Sequence, residues 1–209
     1  WNNYGIWFGK NLMGKIIKMC SICLQRGIEL PIDYELLQSK HKHLLGQELQ
    51  FRLRTPVSSA KALILDFDMT LFDTRPSIDA RLARDWNKAY EQITQFTLYD
   101  GWREVFDYTK AHGIKTILIS RATKSLMERT LNHFGLSCDV VIGSRRGYPS
   151  KKDANSYLLV NKALDELQCN ISMSNIISIG DSVTDRTMSE NAGVRFVGAL
   201  WDCEKEESY

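Results

Sequence analysis

Four acidic residues fall where an apolar run gives out. Asp66 and Asp68 flank Phe67 in Asp66-Phe67-Asp68-Met69-Thr70, and Asp181 and Asp185 lie in Gly180-Asp181-Ser182-Val183-Thr184-Asp185. In extended chain, side chains alternate, so Asp66 and Asp68 point the same way. Two carboxylates that close repel each other unless a cation or a proton sits between them. Oxygen donors suit a hard cation, chiefly magnesium. Asp185 follows Asp181 by one helical turn, which suits orienting a ligand rather than being one. Ser120 ends another apolar run and offers a hydroxyl that can hold a phosphate oxygen. The pair Lys151-Lys152 offers positive charge that can balance phosphate. Together these types point to carboxylate and metal chemistry on a phosphorylated molecule.

Such residues need elements that bring them to one place. Five short runs read as buried strands: Ala62 to Phe67, Thr116 to Ser120, Asp139 to Gly143, Ile176 to Gly180 and Val194 to Val197. Several are continuous in Ile, Val and Leu, as in a parallel sheet covered on both faces. Helical stretches alternate with them. Trp102 to His112 stops at Gly113, Lys124 to Phe134 at Gly135, and Ser182 to Ala192 at Gly193; Asp153 to Leu167 opens on an Asp suited to cap it. The alternation predicts an α/β fold, a doubly wound, Rossmann-like parallel sheet between two helical layers. Ligands bind such a sheet beyond the carboxyl ends of its strands, where the acids lie. Between the first and second strands, about Pro76 to Phe96 reads as one helix with Ile78, Leu82, Trp86 and Ile93 on a stripe.

Residues 1–57 differ. Leu12, Met13, Ile16, Ile17, Cys20, Cys23 and Leu24 recur at helical spacing, then Leu36, Leu37, Leu44, Leu45 and Leu49 do so again. A helical hairpin is the simplest reading, with Pro56 and Ser58-Ser59 linking it to a main domain over residues 58–209. Cys20-x-x-Cys23 with His41 and His43 lacks the histidine spacing of a zinc finger, and both cysteines fall on the apolar stripe. The aromatic group Trp1, Tyr4, Trp7 and Phe8 reads as packing.

The acidic motifs, in this order and at these strand ends, resemble the haloacid dehalogenase superfamily over roughly residues 60–200. Asp66, Asp68 and Thr70 match its Asp-x-Asp-x-Thr motif, Ser120 its strand-ending hydroxyl, Lys151 its lysine, and Gly180, Asp181 and Asp185 its last acidic motif. Asn191-Ala192-Gly193-Val194 resembles phosphoglycolate-phosphatase-like members. The resemblance implies a magnesium-dependent phosphatase. Asp66 would be the nucleophile that forms an aspartyl-phosphate, and Asp68 the acid and base. Ser120 and Lys151 would stabilise the phosphoryl oxygens, with Thr70 and Arg121 at the substrate. Asp66, Asp181 and the backbone carbonyl of Asp68 would hold Mg2+. Asp68 favours ester chemistry over dehalogenation, because a halide leaves without a proton and an alkoxide needs one. Two features depart from the pattern. Lys152-Asp153-Ala154 replaces the usual Pro-x-Pro after the lysine, which leaves Lys151 and Lys152 both open. The cap is minimal, so the substrate is bulky or another segment covers the site.

The chain has 209 residues, 44% hydrophobic and 25% charged, with net charge +2. Nucleic acid is not expected as a partner at so mild a charge. No apolar run is long enough to span a membrane. Five scattered cysteines show no disulfide framework, which favours a reducing, cytoplasmic setting. The expected partner is a small phosphorylated substrate or a phosphoprotein, with a homo-oligomer through the N-terminal hairpin as a further expectation. Two alternatives are a phosphomutase on the same fold, for which a fuller cap would be needed, and a non-catalytic regulatory or binding protein.

Overall fold

The structure is a computed structural model that describes Gly5–Phe8 as backbone, and residues 60–199. The expected N-terminal hairpin and the Cys20, Cys23, His41 and His43 group lie outside the described residues.

Among the described residues, six parallel strands form the sheet. They are β1 (Gly5–Phe8), β2 (Ala62–Leu65), β5 (Lys115–Ile119), β6 (Val140–Ile142), β7 (Ile176–Gly180) and β8 (Arg195–Ala199), in the order β1-β8-β7-β2-β5-β6. The five expected strands all form, with ends moved by a residue or two. The edge strand β1 is an addition, paired through Gly5–Phe8 with Phe196–Ala199. A two-stranded antiparallel ribbon, β3 (Phe72–Asp73) and β4 (Thr97–Leu98), lies apart from the sheet. The helices are α1 (Ile78–Leu82), α2 (Trp86–Glu91), α3 (Trp102–Ala111), α4 (Lys124–His133), α5 (Tyr157–Leu167) and α6 (Val183–Asn191).

Alternation along the strands divides the core. Leu63, Leu65, Phe67 and Leu118 pack on one face with Phe106, Leu126 and Met127. Ala62, Ile64, Ile117 and Ile119 pack on the other with Leu159, Val160 and Met188. Both faces are apolar, so the strands read as continuous runs.

The strand order also locates a crevice. From β2 the chain adds β5 and β6 on one side, then returns to add β7 and β8 on the other. The winding therefore reverses between β2 and β7, and loops leaving those two strands part from each other. Asp66 follows β2 and Asp181 follows β7.

Three local expectations need correction. The cap is two short helices, not one. Arg84 takes a left-handed conformation at φ 59, and the Asp85 side chain accepts the Lys88 amide to start α2. An Asp placed to cap a helix ends the one before it. The cap stripe also divides, since Ile93 is buried while Ile78, Leu82 and Trp86 are exposed. Lastly, Asp153 does not cap α5. It accepts from the Ser150 amide at 2.7 Å in a turn, and α5 begins only at Tyr157.

Candidate active site

The loop after β2 carries the first motif. Asp66 is bound into the sheet edge, its amide donating to Ile179 O at 2.9 Å. The chain then turns sharply: Leu71 and Phe72 both donate to Phe67 O, and Met69 sits left-handed at φ 55. A bulky residue held there is strained, and the surroundings must impose it. Trp102 at the start of α3 contributes by donating its indole N–H to Thr70 O at 2.9 Å. Gly101, at φ 82, lets the chain re-enter the core just before it.

The loop after β7 carries the last motif. Gly180 has no room for a side chain: a Cβ there would lie 2.5 Å from Asp185 Cβ and Cγ. That absence lets Asp185 fold back under the strand end. Ser182 caps α6. Its hydroxyl accepts the Asp185 amide at 3.3 Å, and Asp185 Oδ2 accepts the Ser182 amide at 3.1 Å.

Lys151 joins the two loops. It is 3% exposed, and its ammonium donates to Asp66 and, at 2.5 Å, to Asp185 Oδ1. Lys152, the alternative, is exposed. Burial opposes the charge on Lys151, but Asp185 and Asp66 outweigh it, so its pKa rises. For Asp66 and Asp181 burial prevails. Burial first, and Asp185 next, push the Asp66 carboxyl well above the usual range, with Lys151 pulling the other way. Burial and then Asp185 push Asp181 up to about 6.

Asp68 faces the cap. Arg81 of α1 grips it with a two-pronged fork, Nη1 to Oδ1 at 2.6 Å and Nη2 to Oδ2 at 3.0 Å. Thr74 donates to the same Oδ1 at 2.5 Å. Neither Arg81 nor Thr74 belongs to a motif legible in the sequence. Thr70, expected at the substrate, is fully buried and donates to Asp181 Oδ1 at 3.2 Å; it orients a carboxylate and does not line the cleft. Ser120 is buried at the end of β5, and its Oγ accepts the Ala122 amide at 3.2 Å. Arg121 is exposed on the rim.

These groups line one cleft of about 670 Å³, with Asp66, Asp68, Ser120, Lys151, Asp181 and Asp185 on its floor. Four carboxylates and four basic side chains line it: Lys151 and Arg81 are ion-paired with the carboxylates, and Arg121 and Arg145 complete the lining. Asp66, Asp181 and Asp185 each bring an oxygen within 4.8 Å of the others', a spread that fits an oxygen shell around a hard cation. Both Asp185 oxygens are taken, one by Lys151 and the other by Ser182. The Asp68 side chain is likewise taken by Arg81 and Thr74. Asp66 and Asp181 have partners as well, Asp66 accepting from Lys151 and Asp181 from Thr70.

Elsewhere, Cys138 and Cys169 are free among the described residues, and burial pushes the Cys138 thiol up to about 12. No helix of the described residues is long and apolar enough to cross a membrane.

Comparison with known proteins agrees with this architecture. Among solved structures, a HAD-superfamily hydrolase of subfamily IA from Geobacter sulfurreducens is 23% identical, with a TM-score of 0.56 over 67% of this chain and 89% of that one. CbbY from Rhodobacter sphaeroides, in complex with phosphate, is 14% identical, with a TM-score of 0.57 over 70% and 90%. A HAD-superfamily hydrolase from Ehrlichia chaffeensis is 21% identical, with a TM-score of 0.52 over 67% and 87%. Comparison with curated proteins yields no significant match. The family model for haloacid dehalogenase-like hydrolases matches residues 78–199, more than half of the sequence, and this chain therefore belongs to the haloacid dehalogenase-like hydrolases.

Proposed function

We propose that the chain hydrolyses phosphate monoesters with magnesium, through an aspartyl-phosphate on Asp66. One observation carries this reading. Buried Lys151 bridges Asp66 and Asp185 beside Asp181, at the point where the winding of the sheet reverses. A nucleophile, its counter-charge and a carboxylate able to hold a cation thus share one crevice. The phosphate held by the Rhodobacter CbbY supports the same substrate class.

Asp66, Asp181 and the Asp68 carbonyl would hold Mg2+, which when bound screens the carboxylates from an incoming phosphate anion. The remaining work falls to the chain. Lys151 pulls Asp66 toward its ionised form, offsetting part of what burial and Asp185 do, and so favours the carboxylate that attacks. An Asp66 oxygen attacks phosphorus, the ester P–O bond breaks, and the leaving oxygen takes a proton from Asp68. Water then attacks the phosphorus and gives a proton to Asp68. The bond to Asp66 breaks, and inorganic phosphate leaves. Ser120, Lys151 and backbone amides near Asp68 and Arg121 stabilise the phosphoryl oxygens. Arg121 stands at the rim for the rest of the substrate. The setting is cytoplasmic, as the cysteine pattern suggests.

The test is phosphate release from p-nitrophenyl phosphate with magnesium, with chelator, and in Asp66→Asn. Release is expected only with magnesium. Asp66→Asn should reduce kcat/KM by ~10³-fold or more, as loss of a nucleophile does, while its folding is retained. Release that survives Asp66→Asn would remove Asp66 from the chemistry.

A further inference from the structure

Building on the phosphatase reading, we infer that the leaving group of the natural ester carries a flat aromatic ring, seated on Ile78, Leu82 and Trp86. The cleft is about 670 Å³, room for a drug-sized ligand and far more than a phosphoryl group fills. The excess space belongs to the leaving group. Its direction follows from the chemistry, because the leaving oxygen departs toward Asp68 and Asp68 is gripped by Arg81 of α1. The leaving group therefore emerges along α1.

Its neighbours there are apolar. Ile78 and Leu82 are one turn apart and share a face of α1, next to Arg81. Trp86 opens α2, and all three line the cleft. All three are exposed, Leu82 by 78%. Ile93 on the same stripe reaches the core and these do not. Tyr148 and Pro149 line the cleft as well. The polar groups on α1's side, Arg81 and Thr74, already serve Asp68. A polyol seated on these three side chains would give up water without gaining partners from them, which is costly. An aromatic ring would lose only unfavourable hydration and gain packing. The chain thereby departs from the Rhodobacter CbbY, whose structure holds xylulose bisphosphate.

The test compares benzyl phosphate with glycerol 3-phosphate on the magnesium-loaded enzyme. Both leave as alkoxides of similar basicity, so intrinsic reactivity does not decide the result. Benzyl phosphate should have the higher kcat/KM, by about ten- to hundredfold, the worth of burying one apolar group of that size. The ratio should fall toward one in Leu82→Ser and in Trp86→Ser. Glycerol 3-phosphate turned over as well or better, or a ratio unmoved by both variants, overturns the inference. Calorimetry separates this failure from failure of the phosphatase reading. If neither ester is hydrolysed, benzylphosphonate binding tighter than a dihydroxyalkyl phosphonate, with the difference lost in both variants, upholds the seat while the hydrolytic reading falls. Equal binding overturns the seat itself.

Discussion

The floor and the roof of the cleft are built on opposite terms. On the floor, Asp66, Lys151 and Asp185 are buried, and each is tied to the others or to a strand end. On the roof, α1 and α2 have five and six residues and turn Ile78, Leu82 and Trp86 outward. The fork of Arg81 on Asp68 links the two. Reacting groups must be held in place to be useful, and burial with several partners per group does that. Groups that select a substrate need only be presented, and a short element with little buried surface presents them. Stability should therefore concentrate in the floor and selectivity in the roof.

The largest effect expected is on the floor. Lys151→Met leaves Asp66 and Asp185 buried without their shared cation, a loss of about 3–5 kcal/mol by analogy with broken buried pairs. Urea unfolding should register it, and activity should go with it. Lys152→Met, one residue away and exposed, should change stability by less than about 0.5 kcal/mol. Equal effects from the two would erase the distinction between a buried and a solvated lysine.

The same contrast governs what could be read from the sequence. The floor was legible because its residues sit at strand ends, and apolar runs mark those ends. Asp66, Ser120 and Asp181 each close such a run. Which of Lys151 and Lys152 turns inward was not legible, because two adjacent residues in a turn carry the same composition signal. Thr70 was read one step too far forward, as a substrate contact, because spacing along a motif does not reveal which side of a carboxylate a hydroxyl approaches. The roof was poorly legible throughout. Arg81 looks like one of many helical surface charges, and its partner lies 13 residues away in sequence. The break at Arg84 and Asp85 was hidden by an apolar stripe that runs straight through it. The stripe's period was right, but the cleft rather than the core receives its first three members. Strand β1 was missed because four residues at a sheet edge owe their pairing to β8.

A second, smaller effect sharpens the picture of the floor. Burial and Asp185 raise Asp181 to about 6, against about 3.9 in an unfolded chain. Without metal, the native state holds this proton more tightly than the unfolded one does. The stability linked to it is present in full below about pH 4 and is lost as pH rises through about 6. Magnesium favours the ionised site, so its benefit should grow over that same range. At a hundredfold excess over Kd the benefit is about 2.7 kcal/mol, and thermal unfolding should show more of it at about pH 8 than at about pH 5. A magnesium shift that is the same at both values would mean that the cation does not bind these carboxylates.

A modest effect on stability should come from the roof, and it should be accompanied by a larger effect on function. Arg81→Met keeps the aliphatic stem and removes the fork. The pair's side chains are 19% and 26% exposed, and such a partly solvated pair is worth about 1 kcal/mol. Asp68, however, would lose the group that fixes both of its oxygens. Misplacing a proton donor costs rate rather than stability, so kcat should fall about tenfold or more while the urea midpoint moves little. Arg81→Lys restores the charge without the fork and should recover only part of the rate. If kcat fell only in proportion to lost stability, Arg81 would be a strut, and the roof would differ from the floor in strength alone. A fall in kcat out of proportion to stability would mean that the roof contributes to the chemistry through Asp68, as well as to the choice of substrate.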